Sequence, residues 1–153
     1  MKKILTLILI ILSPHLGLQA QKGLAIQAAF DELAVRKNAT EVIMSGKRLK
    51  DFHLSLFHSL EIKNPSAADR QRITSLVQTD AAQAITQEET SAHSFYELPQ
   101  RKGMHSYILY RNNGQALTLI YIEGKASLKQ IKQYFQKNNQ KNENNILPHF
   151  III

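Results

Sequence analysis

The chain contains no cysteine and no tryptophan. Without cysteine it can form no disulfide, offer no thiol nucleophile or redox couple, and hold no cysteine-ligated metal. A lipoprotein-type anchor is excluded for the same reason, since that lipid is carried by a cysteine at the start of the mature chain. The fold must therefore be held by apolar packing and backbone hydrogen bonds alone. Without tryptophan, and with aromatic residues at 7%, only scattered tyrosines are available as a stacking surface for a sugar-cleaving cleft. The 6 glycines never cluster, so no glycine-rich loop that cradles phosphates is present and nucleotide binding is not supported.

Acidic residues are also in deficit, with 12 Asp and Glu against 19 Lys and Arg. The cations are spread along the chain with acids between them, not gathered in a stripe interleaved with aromatics, so nucleic acid is not an expected partner. Attraction to an envelope protein or an anionic surface fits the excess, although moderate net charge also serves plain solubility.

One apolar run stands out. Lys2 and Lys3 lead into residues 4–12, nine residues, about half of the roughly 20 that a helix needs to cross a bilayer. Gly17-Leu18-Gln19-Ala20 follows as a small-residue cleavage signal should, so residues 1–20 read as a secretory signal peptide and not as a stable transmembrane anchor. Removing these 20 from 153 leaves 133 residues and 17 cations against 12 acids, a mature charge of +5. The expected organisation is a leader over 1–20, a single domain over 21–138 and a tail over 139–153, exported and periplasmic.

Residues 24–35 set Ile26, Phe30 and Leu33 on one stripe, which predicts a first amphipathic helix. Val42, Ile43 and Met44, ended by Gly46, predict a short strand. Over 49–62 two periods compete: Leu49, Phe52, Leu56 and Leu60 fit a helix, while Phe52, Leu54, Leu56, His58, Leu60 and Ile62 fit strand alternation nearly as well. The expectation is a short helix and then a strand over 60–62. Ser66 and Asp69 have capping-box spacing after Asn64-Pro65, and the helix they open carries Ile73, Leu76, Val77, Ala81, Ala84 and Ile85 on one face as far as Glu88. Residues 95–98 are expected as an edge strand before Pro99.

Residues 107–110 and 117–122 flank Asn112-Asn113-Gly114 and predict a hairpin with a type I′ turn at Asn113-Gly114. Alternation then puts Ile108, Tyr110, Leu117, Leu119 and Tyr121 on one face and Tyr107, Leu109, Arg111 and Thr118 on the other. Ser127 with Gln130 repeats the capping-box spacing ahead of Leu128, Ile131 and Phe135, a last helix ending near Asn138. The Asn- and Lys-rich stretch that follows reads as a linker. The apolar tail over 146–153 would dock on its own domain or, alternatively, bind a partner through Leu147, Phe150 and Ile151.

The chemistry is sparse. His53, His58, His93, His105 and His149 lack metalloprotease spacing; His53 and His58 would lie about 140° apart on a helix and on opposite faces of a strand. No metal or cofactor is expected. Glu61, Glu97 and Glu123, near predicted strand ends, are the carboxylates available for general acid and base work, and no serine stands in a nucleophile elbow. Catalytic residues are not assigned. Val42 to Lys47 and Ile120 to Lys125 share an order of strand, glycine, basic residue and helix, which marks Lys47 and Lys125 as candidate anion contacts. Tyr107, Tyr110, Arg111 and Tyr121 are candidate ligand contacts on the hairpin, with cross-strand packing as the plain alternative for the tyrosines.

The Ser45-Gly46-Lys47 strand exit, Leu60-Glu61-Ile62, and Tyr107-Ile108-Leu109-Tyr110 through Ile122-Glu123-Gly124 before Ser127-Leu128 resemble small exported Bacteroidetes proteins of a domain family of unknown function. The resemblance implies a compact α+β envelope domain and carries no active site onto any residue. The expected architecture is a mostly antiparallel sheet of about four strands with amphipathic helices packed on one face. If the other face is polar, a binding or adaptor domain suffices; if apolar, the tail or a second subunit must cover it. The expected function is noncatalytic envelope binding, adaptor or structural work, the alternative being a small periplasmic hydrolase using carboxylates near strand ends.

Overall fold

In the computed structural model, which describes residues 23–139 except Ala92, the elements follow the order α1 (Gln27–Leu33), β1 (Ala39–Ser45), a 3-10 helix (Gly46–Phe52), β2 (Leu54–Lys63), α2 (Ala67–Ala81), β3 (Thr86–Glu89), β4 (His93–Arg101), β5 (Met104–Asn112), β6 (Ala116–Gly124) and α3 (Leu128–Asn139). The expected leader and the apolar tail lie outside the described residues. All six strands join one antiparallel sheet in the order β1-β2-β6-β5-β4-β3. The class is α+β as expected, with six strands where about four were expected.

The additional strand pairing comes from contacts that local periodicity does not contain. The helical stripe was expected to run to Glu88, yet α2 ends at Ala81. Ile85 N–H instead donates to the Glu97 carbonyl at 2.8 Å, and Thr86–Glu89 pairs with Glu97 back to Ser94. Ile85, expected on the buried face, is 61% exposed. A sequence made of good helix formers is here recruited by the open edge of β4, and β4 is thereby not an edge strand. In the ambiguous window the helix is confined to the 3-10 turn. His53 then takes a left-handed conformation, and the strand runs through all ten residues of β2, its side chains alternating from Leu56 onward.

Helices cover both faces of the sheet, not one. On the first face α1 and α2 bring Ile26, Phe30, Leu33, Ile73 and Val77 onto Leu56, Leu60, Ile62, Tyr96, Ile108, Leu119 and Tyr121. On the second, α3 and the 3-10 helix bring Ile131 and Leu49 onto Phe57, Phe95, Tyr107, Ile120 and Ile122. The reason is visible in β2 and β6, where Leu56-Phe57 and Leu119-Ile120-Tyr121-Ile122 are apolar at successive positions and so need burial on both sides. A register shift between Leu54 and Leu56 turns Leu54 onto the α3 face. The second face is thus apolar, and α3 with the 3-10 helix supplies its cover.

The hairpin turn sits one residue later than expected. Asn113 N–H donates to the Ala116 carbonyl at 3.1 Å, so Gly114 and Gln115 are the central pair, and Gly114 alone in this turn has positive φ, +85°. A glycine at the first central position meets the type II′ requirement, not type I′. Moving the turn by one residue changes pairing by two, so the face assignments survive: Ile108 opposes Tyr121 and Tyr110 opposes Leu119.

Both capping boxes form. Ser66 and Asp69 exchange bonds of 3.1 and 3.2 Å, and the Ser127 N–H donates to Gln130 Oε1 at 2.9 Å. Helix α1 has no side-chain cap of its own. The buried Asp80 carboxylate near the end of α2 accepts the N–H groups of Ala25 and Ile26, each at 2.8 Å, and ties the two helices together.

Candidate functional site

Beside the end of β6, on the α1/α2 face, the sheet leaves a small, partly open cleft. Leu24, Leu98, Pro99 and Met104 make its apolar walls, and Gln83, Arg101, Ser106, Tyr121 and Glu123 its polar ones. Register explains the grouping, since Leu98 opposes Ser106 and Ser106 opposes Glu123, while Tyr121 lies two residues from Glu123 on the same face. The Tyr121 hydroxyl donates to Glu123 Oε2 at 2.9 Å. Burial and the charge of Glu123 push the phenol well above its usual pKa, so Tyr121 holds its proton and acts as a donor. Exposed Arg101 lines the same cleft, which therefore holds a cation and a carboxylate that accepts from a phenol.

A second polar cluster lies on the α3 face. Glu97, 7% exposed, meets His105 Nδ1 at 3.1 Å and accepts from Thr86 Oγ1 at 3.2 Å. Gln100 Nε2 lies 3.1 Å from His105 Nε2. Nothing at single positions of the sequence marks His105 as a partner of Glu97. The available signal was its place two residues before Tyr107, which makes it a diagonal neighbour of Glu97 once Glu97 pairs with Tyr107.

The three candidate carboxylates do not converge. Glu97 and Glu61 fall on the α3 face at different cross-strand rows, opposite Tyr107 and Thr118, and Glu123 falls on the other face. Among the candidate contacts, Tyr107 is fully buried beneath α3, donating to the Ala126 carbonyl at 2.8 Å, with its pKa pushed upward by burial and by Glu97. Tyr110 is half-buried, its hydroxyl 2.8 Å from Thr74 Oγ1. Arg111 is half-buried beside Thr118, on the same face as Tyr107. Tyr121 belongs to the cleft. Lys47 and Lys125 are exposed at one end of the sheet. Leu147, Phe150 and Ile151 lie outside the described residues.

Residues 14–135 match the model of a family of unknown function, DUF6108. The chain belongs to this family. No curated protein matches it. The DUF6108 match spans every strand of the sheet and extends into α3, so the cleft and the Glu97–His105 pair both fall inside it, whereas the tail over 146–153 falls beyond.

Proposed function

We propose that this DUF6108 chain is a noncatalytic binding domain of the bacterial envelope, exported to the periplasm, and that edge strand β1 receives an extended segment of a partner protein. The export reading rests on residues 1–20, and the Bacteroidetes setting on the resemblance of the strand exits and hairpin. One observation carries the binding reading. Strand β1 pairs with β2 through all seven of its residues and has no strand on its other side among the described residues. Its outward backbone groups are a template for one more strand. Ile43, 45% exposed, sits mid-strand between exposed Thr40, Glu41 and Ser45 and offers a side-chain contact. The opposite edge, β3, has four residues and carries Glu88 and Glu89, a charge pattern that discourages pairing.

A pull-down from the native envelope tests this reading with three forms of the protein: the exported chain, a chain ending at Asn145, and Ile43→Lys. Retention of one partner by the first two and its loss from Ile43→Lys is expected. Loss on truncation alone would move recognition to the tail.

The hydrolase alternative keeps one specific support, the pairing of buried Glu97 with half-buried His105. Turnover abolished by Glu97→Gln in a folded protein would favour it.

A further inference from the structure

We propose that the end of the sheet remote from the Gly114 turn is a cationic face that docks on an anionic lipid bilayer. Strands β1, β4 and β6 finish at this end and β2 and β5 begin there, as the pairs Ser45 with Leu56, Leu54 with Gly124, and Arg101 with Met104 require. Their loops bring together Lys47, Arg48, Lys50, Arg101, Lys102 and Lys125, all exposed. In the sequence they fall in three groups, 47–50, 101–102 and 125, with acids between the groups. Antiparallel pairing sorts them to one pole.

Their surroundings leave the charge available. Among the described residues none of the six takes part in an ion pair, whereas Arg36, Arg72 and Lys132 pair with Asp69, Glu32 and Glu88. The acids at this pole are Asp51, which is exposed, half-buried Glu123, whose carboxylate accepts the Tyr121 hydroxyl, and buried Asp80, whose carboxylate accepts the Ala25 and Ile26 N–H groups. From β1 to β4 the cations span four strand spacings, about 19 Å. That breadth suits a planar array of phosphates and exceeds what one small anion could bridge.

The chain also enters at this pole. Leu24 shares the cleft with Arg101, Met104 and Glu123, and Gln21 is three residues earlier, within about 10 Å of chain. If residues 1–20 are the leader, its removal frees an α-amino group three residues before Leu24 and adds one more positive charge to the chain. The inference is independent of the β1 edge.

Each cation near an anionic surface is worth about 1 kcal/mol, roughly fivefold in partitioning. The exported protein, its N-terminus sequenced, is sedimented with vesicles of phosphatidylcholine alone or mixed with phosphatidylglycerol. Binding to the mixed vesicles alone is expected, weakening as salt rises. Lys47→Gln with Lys125→Gln should weaken it about 30-fold, and Lys37→Gln with Lys63→Gln, the same charge change at the other end, should leave it close to the parent. Equal loss in both double variants would overturn the proposal in favour of net charge. Binding to neutral vesicles with no salt dependence would overturn it in favour of apolar insertion. Retention on a sulfated polysaccharide without vesicle binding would overturn it in favour of a glycan partner.

Discussion

Gly124 lies so close to His53 that a Cβ on it would stand 2.4 Å from the His53 carbonyl oxygen and 2.6 Å from Leu54 Cα. The contact is backbone against backbone, and the same His53 carbonyl accepts the N–H groups of Lys125 and Ala126 at 2.8 and 3.1 Å. No side-chain rotation relieves it. Gly124→Ala should cost about 3 kcal/mol by forcing β2 and β6 apart at the bulge. Gly46 occupies the matching place after β1 for a different reason, a φ of +77° with open space around it, so Gly46→Ala should cost only about 1 kcal/mol. Urea unfolding midpoints of the two variants check the order, and equal losses would contradict it.

Asp80 is 3% exposed, and its two oxygens hold the first amides of the α1 entry. Asp80→Ala removes both acceptors and leaves the Ala25 and Ile26 N–H groups without them, a loss of about 2–4 kcal/mol. Hydrogen exchange at these two amides should accelerate more than at the β6 amides, because α1 would detach before the sheet opens. Uniform acceleration across α1 and β6 would argue against a local tie.

His58 stacks on Phe30 with centroids 3.7 Å apart and places Nε2 2.7 Å from Glu41 Oε1. Burial lowers its pKa below the ordinary 6.5 and outweighs the hydrogen bond and charge of Glu41, which act in the opposite sense. Below pH 6.5 the unfolded chain therefore binds a proton that the folded chain resists, so stability falls as pH drops through that window. Unfolding midpoints measured from about pH 7.5 to about pH 5 should decline, and His58→Phe should flatten the decline. An equal decline in the variant would assign the effect to other groups.

Local signals identified those features whose causes are local. The caps at Ser66 and Ser127, the stripe of Ile26, Phe30 and Leu33, and the hairpin between β5 and β6 depend on contacts a few residues apart. Thr86–Glu89 was not legible as a strand because its partner, Ser94–Glu97, supplies the reason for it. The extent of β2 was equally hidden, since its two periods are separated only by neighbours on both sides.

The candidate site divides the same way. Glu97, Glu123, Tyr121, Lys47 and Lys125 were all visible as residue types near strand ends. Which of them meet was decided by register: side chains alternate faces, so Glu123 joins Tyr121 while Glu97 joins His105 on the other side.

By itself the sequence determined a cysteine-free chain, helices opened by Ser66 and Ser127, and a hairpin turning through Gly114, because composition, capping and turn geometry act over a few residues. Only the tertiary structure decided that both sheet faces are covered, that β3 exists, and that three separate groups of cations share one end. Those features arise from pairing between strands distant in sequence, and no local period encodes the order in which strands assemble.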